Sequence, residues 1–220
     1  MLREEDKKEI QNRLKDVTHP VHLIYFTQSV IGTCQFCLET EQLLKEVVPL
    51  SDRLSLSVKN FITDQEDVKK YHIDKIPAIA LLEGEKDKGL RFYGIPSGYE
   101  FITFLETLIH LGTRDSGLAQ ESRTLLKNVR VPVHLQVFVT PTCPYCPRAG
   151  VTGFQLAQES EFISCDVVEI SEFPHLAQRY SVMGVPKVVI NEKYGFEGAL
   201  PERLFVEQVL HVAQSTEKGD

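Results

Sequence analysis

The chain has 220 residues, of which 42% are hydrophobic and 25% charged, and its formal net charge is -7 at pH 7. This composition is ordinary for a globular protein, and the length suffices for two compact domains with separate cores. The acidic balance argues against nucleic acid or an anionic membrane as the main partner.

The first eight residues lack the apolar core of a signal peptide, and no later apolar run approaches the length of a membrane span. Four of the five cysteines form two close pairs, which differs from the disulfide framework of small secreted proteins. We therefore expect a cytoplasmic protein whose cysteine pairs are catalytic or metal-binding.

An internal repeat organises the chain. Residues 14–26 and 126–138 are identical at eight of thirteen positions, at an offset of 112. Residues 27–33 are three residues longer than their counterpart, and the offset is then 109, which aligns Cys34-Gln-Phe-Cys37 with Cys143-Pro-Tyr-Cys146. In each repeat a proline follows 43 residues after the first cysteine. The sequence thus predicts a duplicated fold.

Each repeat predicts the order helix, strand, helix, strand, short helix, two strands, helix, which gives an α/β fold with a mixed sheet covered by helices. The glycines and the serine in residues 111–117 place the join there, with domains at 1–113 and 114–220. The predicted pairs are helices at 34–48 and 143–158, strands at 54–61 and 162–170, and last helices at 99–111 and 201–213. Within the helix at 143–158, Cys146, Ala149, Gly150, Gly153 and Ala157 share one face, and these small residues would allow close packing.

Each dithiol follows an apolar strand and opens a helix, which favours redox chemistry. Exchange requires a thiolate, and the exposed N–H groups at a helix N-terminus stabilise that anion. The second thiol, three positions on, can then resolve a mixed disulfide formed by the first. Pro144 suits a first helical turn, whereas Gln35 and Phe36 offer nothing equivalent. We expect the two sites to differ, with Cys143 the more reactive.

A strand, a CxxC at a helix start and a proline before the third strand resemble the thioredoxin fold, and Cys-Pro-Tyr-Cys resembles glutaredoxins. Two such units resemble the glutaredoxin-like protein disulfide oxidoreductases of thermophilic archaea and bacteria. The chain is also similar to the tandem amino-terminal module of the alkyl hydroperoxide reductase flavoprotein, in which one dithiol is generally lost.

These resemblances imply an enzyme that catalyses thiol–disulfide exchange, with redox-active disulfides and no other cofactor. They imply that Cys34 and Cys143 attack, that Cys37 and Cys146 resolve, and that the matched prolines are cis. The implied partners are protein substrates with thiols or disulfides, and a thioredoxin-reductase-like flavoprotein as electron donor.

Residues around the dithiols are candidates for substrate binding. The shared distance from each dithiol favours a substrate-binding turn at Ile76-Pro77 and at Val185-Pro186 over ordinary strand-start prolines. Tyr145 either stacks on a peptide or is a solvated aromatic residue of the turn.

Five other residues invite functional readings. His22 and His134 are duplicated, but they stand at strand starts nine or more residues before the cysteines, so we expect structural roles. Cys165, in a predicted strand, is expected to be a buried small hydrophobe. Arg148 and Lys187 could lower a thiolate pKa, although exposed charges are usually solvated.

Two positions depart from the related families. Thioredoxins keep a buried carboxylate where this chain has Val137, so proton transfer during resolution has no obvious carrier. Glutaredoxins hold glutathione with a Gly-Gly and an acidic residue, whereas this chain has Gly198-Ala-Leu-Pro, which argues against glutathione as the donor.

Three function classes follow. The first is an oxidoreductase that reduces, oxidises or isomerises protein disulfides. The second is an electron-relay module between a flavoprotein disulfide reductase and a peroxidase. The third is a zinc or iron–sulfur site of four thiolates, which would require two pairs 109 residues apart to converge, and we expect no metal.

Overall fold

The structure is a computed structural model that describes residues 2–28 and 34–217. The longer segment of the first repeat, 27–33, lies mostly outside the described residues. The first half contains, in order, α1 (Glu4–Arg13), β1 (Val21–Thr27), α2 (Cys37–Val47), β2 (Leu54–Asn60), α3 (Gln65–Lys70), β3 (Ala78–Glu83), β4 (Lys86–Tyr93) and α4 (Glu100–Thr113). The second contains α5 (Gln120–Leu126), β5 (Val133–Val139), α6 (Cys146–Glu159), β6 (Ile163–Glu169), α7 (Pro174–Arg179), β7 (Lys187–Ile190), β8 (Tyr194–Glu197) and α8 (Glu202–Glu217).

The predicted α/β duplication is confirmed, since the two series of elements match one for one. The boundary between residues 113 and 114 stays a proposal, and it falls between the end of α4 and the start of α5. The middle strands lie within a residue of their predicted limits, and both last helices extend beyond theirs.

The predicted starts of the two helices at 34 and 143 were wrong by three residues, because each helix begins at the second cysteine of its pair. Cys143 precedes a proline, which disfavours helical backbone for that residue. Its N–H donates instead to the carbonyl oxygen of Thr140 at 3.2 Å, as part of a turn. Cys34 is followed by glutamine and not proline, but residues 34–36 also lie before their helix, so the first cysteine of each pair is just outside it.

The strands form one eight-stranded mixed sheet in the order β2-β1-β3-β4-β6-β5-β7-β8. β4 of the first half pairs in parallel with β6 of the second, from Leu90 opposite Cys165 to Tyr93 opposite Val168. The halves are therefore joined edge to edge by backbone hydrogen bonds. The sequence did not predict this junction.

Strand directions place both dithiols at the same edge of the sheet. β1 and β4 are each antiparallel to β3, β4 is parallel to β6, and β6 is parallel to β5, so β1 and β5 run the same way. Each dithiol follows the carboxyl end of one of these strands. Four strand spacings separate β1 from β5, which is about 19 Å at the usual strand spacing.

Two cores cover the two faces of the sheet. The larger one extends beneath the long helices and includes Phe104, Phe154 and Phe205, all fully buried. The smaller one lies on the opposite face, beneath α3 and α7. Among the helices built from described residues, none combines the length and hydrophobicity needed to cross a membrane.

The small-residue face of α6 packs closely on both sides of the junction, as predicted. A Cβ at Gly153 would lie 2.8 Å from Cys165 Sγ, and one at Gly150 would lie 2.8 Å from Thr103 Cγ2 on α4. Close contact between α6 and both β6 and α4 thus depends on glycine. Through this contact a helix of the first half reaches the helix that carries the second dithiol.

Candidate active site

Each CxxC pair is a disulfide, with Cα atoms 5.6 Å apart in Cys34–Cys37 and 5.4 Å apart in Cys143–Cys146. The second cysteine of each pair is the first residue of its helix and is buried. The first cysteine is nearer to solvent, since Cys34 is half-buried and Cys143 is 8% exposed against 0% for Cys146. This difference suits Cys34 and Cys143 to meeting a substrate first.

The second site places an N–H group and a backbone carbonyl beside Cys143 Sγ. The N–H of Cys146 points at Cys143 Sγ from 3.1 Å. A sulfur that receives an N–H from the first residue of a helix is stabilised as a thiolate. The Val185 carbonyl oxygen lies 3.7 Å from the same sulfur, so the proline loop borders Cys143.

Both matched prolines are cis, as the resemblance implied: Ile76–Pro77 and Val185–Pro186. Each proline carbonyl accepts a hydrogen bond from a glycine at positive φ, Gly94 to Pro77 at 2.9 Å and Gly198 to Pro186 at 2.8 Å. The two proline loops therefore have the same construction. In the second site the loop reaches Cys143.

Two exposed apolar side chains border the second site. Tyr145, between the cysteines, is 70% exposed, and Met183, two residues before Val185, is 90% exposed. Sequence reasoning singled out Tyr145 but missed Met183. The repeat alignment gave a signal, because the position equivalent to Met183 in the first half is Asp74, so this one position of the loop is apolar in the second half alone.

A buried carboxyl group lies behind the second dithiol, and it comes from the first half of the chain. Glu100, the first residue of α4, is fully buried. Its Oε2 accepts a hydrogen bond from Thr103 at 2.8 Å, whereas Oε1 has no hydrogen-bond partner among the described residues. Burial raises its pKa from 4.5 to about 7, Glu169 adds to this shift, and the Thr103 hydrogen bond partly opposes it.

The packing around Glu100 directs it at the second site. Its Oε2 lies 3.6 Å from where a Cβ on Gly150 would be, and Gly150 is one helical turn after Cys146 on the same face of α6. The preceding N–H, of Tyr99, donates to the carbonyl oxygen of Pro141 at 2.8 Å, in the loop that leads to Cys143. Glu100 can be the proton carrier that Val137 cannot be. Sequence reasoning missed it because a glutamate at a helix start usually only complements the helix dipole.

The first site is built differently behind its buried cysteine. Tyr25 occupies the strand position equivalent to Val137, and its hydroxyl donates to the Cys37 carbonyl oxygen at 2.6 Å. Burial raises the Tyr25 pKa above its usual range, and the charges of Glu41 and Glu172 contribute to this shift. The hydroxyl therefore stays protonated and serves as a hydrogen-bond donor.

Carboxyl groups from both halves lie within electrostatic reach of one another near the junction. Oε1 of Glu172 accepts a hydrogen bond from the Ile95 N–H at 2.7 Å, across the junction. Burial raises the pKa of Glu172 to about 7, with further contributions from Glu169 and from Glu39 on α2. Glu172 thus lies within electrostatic reach of the helix that starts at Cys37.

The remaining candidates lie away from the sulfurs or on the surface. His22 contacts Ser55 at 2.6 Å and His134 contacts Asp166 at 2.9 Å, both at the starts of their strands and so at the sheet edge opposite the dithiols. Cys165 is a buried free thiol, and burial raises its pKa well above the usual value.

Of the two basic candidates, Arg148 is exposed on the first turn of α6. Lys187, directly after Pro186, donates to the Ser181 carbonyl oxygen at 3.0 Å. The four CxxC cysteines are divided between the N-terminal ends of two helices, with β3, β4 and β6 lying between the strands that precede them. Within residues 2–28 and 34–217, no group of three or more His, Cys, Asp or Glu side chains could hold a metal ion.

A family model described as "Thioredoxin domain" matches residues 133–211. A protein disulfide oxidoreductase from Aeropyrum pernix superimposes on 98% of this chain and 95% of its own length, with a TM-score of 0.88 and 29% identity. The tandem N-terminal domain of Enterococcus faecalis alkyl hydroperoxide reductase AhpF has a TM-score of 0.87 at 23% identity, with 95% of this chain and 100% of that domain covered.

Alkyl hydroperoxide reductase F subunits are among the curated relatives. Those of Pseudomonas aeruginosa and Xanthomonas campestris are 24% and 26% identical over 93% of this chain, which spans about a third of their length (36% and 35%). The architecture, the paired disulfides and these likenesses lead to one conclusion. The chain is a tandem thioredoxin-fold protein with one CxxC disulfide in each half, and it is similar over 98% of its length to the Aeropyrum pernix protein disulfide oxidoreductase.

Proposed function

We propose that this chain exchanges disulfides with protein substrates, and that Cys143 is the sulfur that meets them at the second site. The observation that carries the proposal is the setting of Cys143, which lies beside the Val185-Pro186 loop and close to the exposed Tyr145 and Met183. Apolar side chains next to a reactive sulfur fit the peptide that flanks a protein disulfide better than they fit a small charged thiol.

In the reducing direction, the Cys143 thiolate attacks one sulfur of the substrate disulfide. A mixed disulfide forms, and the other substrate sulfur leaves as a thiolate that takes up a proton. Cys146 then loses its proton and attacks Cys143 Sγ, which releases the second substrate sulfur. The substrate gains two electrons and two protons, and the dithiol becomes the disulfide. The oxidising direction is the reverse of these steps.

Glu100 accepts the proton that Cys146 must lose before it attacks. The carboxyl group is buried beside Gly150, one turn after Cys146, and within the described part of the chain its Oε1 has no hydrogen-bond partner. A pKa of about 7 is matched to proton transfer near neutral pH. This residue links the halves chemically, because the first half supplies the proton acceptor of the second dithiol.

The first dithiol performs the same exchange with Cys34 as the attacking sulfur and Cys37 as the resolving one. The Ile76-Pro77 loop is its counterpart of the Val185-Pro186 loop and would contact substrate in the same way. The surroundings differ, since Leu38, next to Cys37, is the exposed apolar residue here.

A relay between a flavoprotein disulfide reductase and a peroxidase is the second candidate function. The observation in its favour is the similarity of 93% of the chain to part of the alkyl hydroperoxide reductase F subunits. Under either function we propose that a thioredoxin-reductase-like flavoprotein supplies electrons. We also propose a cytoplasmic setting, in which a reducing thiol pool keeps both dithiols available for exchange.

Reduction of insulin disulfides tests the proposal, first with dithiothreitol and then with a pyridine-nucleotide-dependent flavoprotein reductase as electron source. Cys34→Ser and Cys143→Ser should each lower the rate, and the double variant should abolish it. Cys165→Ala is the matched control and should keep the parent rate, since its thiol is buried. Full activity of the double variant would exclude disulfide exchange at these sites. Fast reduction by the reductase with no insulin reduction would favour the relay.

A further inference from the structure

The two dithiols face opposite local charges, although their helices are repeats of one another. Glu39 and Arg148 occupy the same repeat position, the third residue of α2 and of α6, counted from the buried cysteine. Both side chains are exposed, and each lies in the first turn of the helix whose N-terminus carries the dithiol. The duplication has therefore kept the position and reversed its charge.

A second carboxylate adds to the negative charge at the first site. Glu172 approaches from the second half, held by the Ile95 N–H at 2.7 Å, and it interacts electrostatically with Glu39. Tyr25 donates a hydrogen bond from its hydroxyl to the Cys37 carbonyl oxygen at 2.6 Å. The negative charges of Glu41 and Glu172 contribute to the raised pKa of this hydroxyl. The position equivalent to Glu41 in the second half is Gly150, which carries no charge.

Positive charge near both proline loops is already paired. Lys75, just before the Ile76-Pro77 loop, forms an ion pair with Asp74 at 2.5 Å and lies 3.6 Å from the centre of the Tyr93 ring. At the second site Lys187 follows the equivalent proline, and its carboxylate partner Glu197 is 3.6 Å away. Each site also faces a carboxyl group from the other half, Glu172 at the first and Glu100 at the second. The difference in charge between the sites therefore comes from the helix residues, with Glu39 beside the first dithiol and Arg148 beside the second.

We propose that this charge reversal sets the order of the two redox potentials, so that the first dithiol is the reductant of the pair and the second is the oxidant. The inference rests on the proposed function, because it assigns the direction of exchange at each site. Exchange interconverts a dithiol and a disulfide, and the attacking cysteine is a thiolate in the reduced form. Carboxylates beside Cys34 destabilise that thiolate and make the first dithiol give up its electrons more readily. Arg148 stabilises the Cys143 thiolate and makes the second disulfide accept them more readily.

The fold keeps the two sites chemically separate. With about 19 Å between β1 and β5, the sulfurs of one chain do not meet. Each dithiol therefore equilibrates with its own partners. One protein can thus reduce a substrate disulfide at the first site and oxidise a substrate dithiol at the second.

The test measures each site alone against reduced and oxidised glutathione, by alkylation of free thiols at equilibrium. Cys143→Ser/Cys146→Ser leaves the first site, and Cys34→Ser/Cys37→Ser leaves the second. We expect the equilibrium constant for oxidation to be at least about tenfold larger at the first site, which corresponds to a potential lower by about 30 mV.

Charge exchange then tests the cause. Glu39→Arg should decrease the constant for oxidation of the first site by about 3-fold to 30-fold, from the usual effect of charges at a helix N-terminus, and Arg148→Glu should increase that of the second site. Glu39→Gln and Glu172→Gln should each give part of the first-site change. Glu85→Arg is the matched control, because Glu85 lies at the opposite edge of the sheet, and it should leave both constants unchanged.

The outcomes of these measurements distinguish failure of the proposed function from failure of the inference about the two potentials. Failure of both single-site proteins to equilibrate with glutathione and with insulin would remove the proposed function itself. Equal constants, or a larger one at the second site, would overturn the inference while leaving disulfide exchange intact. Equal shifts from Glu85→Arg and Glu39→Arg would also overturn it, because the local charge would then not be the cause.

Discussion

Replacing Glu100 with glutamine removes the ionisable group behind the second dithiol and keeps its shape. Burial raises the pKa of this carboxyl from 4.5 to about 7, a difference of about 2.5 units or about 3 kcal/mol. A raised pKa means that the folded protein binds the proton more tightly than the unfolded chain. This stabilising contribution is complete below pH 4.5 and is lost as the pH rises through about 7. At pH 8 we therefore expect the glutamine variant to be more stable than the parent by up to about 3 kcal/mol. At pH 4 the difference should vanish.

The same change should slow the chemistry that it leaves structurally intact. In the parent, the resolving step should speed up as Glu100 ionises near pH 7, since only the carboxylate can accept the Cys146 proton. In the variant this step should be slower by about 100-fold at neutral pH, the usual loss when a general base is removed. Its pH dependence should follow the thiol alone. Single-turnover reduction of a peptide disulfide by the second site alone, between pH 5 and 9, measures this step.

Two controls define what would refute the role of Glu100. The same substitution with the second dithiol removed should leave the first site's rates unchanged. Glu106→Gln, on the same helix, should retain the parent pH profile of the second site. Parent rates and an unchanged profile in the Glu100→Gln protein would show that the proton leaves Cys146 by another route.

The remaining predictions concern packing and the junction. Gly153→Ala should destabilise the protein by about 1–3 kcal/mol in urea denaturation, because the new Cβ overlaps Cys165 Sγ. Adding Cys165→Ala should recover most of this lost stability. If it recovers none, the contact between these two residues is contradicted. Gly98→Ala, at φ +58° and against the Pro141 carbonyl, should lower the melting temperature and slow the second site while the first site keeps its rate. His134→Gln should cost more stability at pH 5.5 than at pH 8.5. Burial disfavours the charged imidazole, but its carboxylate partner raises the His134 pKa overall, and that stabilisation is lost as pH rises through the raised value. Equal losses at both pH values would exclude the ion pair.

The sequence predicted the dithiols, the prolines and the order of elements because each of them occurs twice, once in each copy of the internal repeat. Two copies of each signal, at a fixed distance, exclude chance for the pairs Cys34–Cys37 and Cys143–Cys146. Local rules also place the strands, whose apolar runs are bounded by turn residues. The helix starts were missed because the local turn before each helix decides them, with Pro144 contributing at the second site only, and such a turn does not change the hydrophobic pattern.

The junction and Glu100 could not be predicted, because both depend on which strands pair between the halves. Residues 90–93 are fully buried apart from slight exposure of Arg91, as expected for any interior strand, so their sequence does not identify the partner. Once β4 pairs with β6, α4 must lie against α6, and Glu100 meets Gly150. A residue that reaches a site through tertiary pairing leaves no local pattern in the sequence.

The edge-to-edge junction also has a consequence for how such proteins can be lengthened. It joins unlike edges, the last strand of one unit to the outer strand of the next, which is a head-to-tail arrangement that does not close on itself. The free ends of the sheet are β2 and β8, the repeat equivalents of the two strands that are joined. A third unit could therefore be appended through the same geometry. The longer protein would carry a third dithiol on the same edge of the sheet, at the same spacing as the first two.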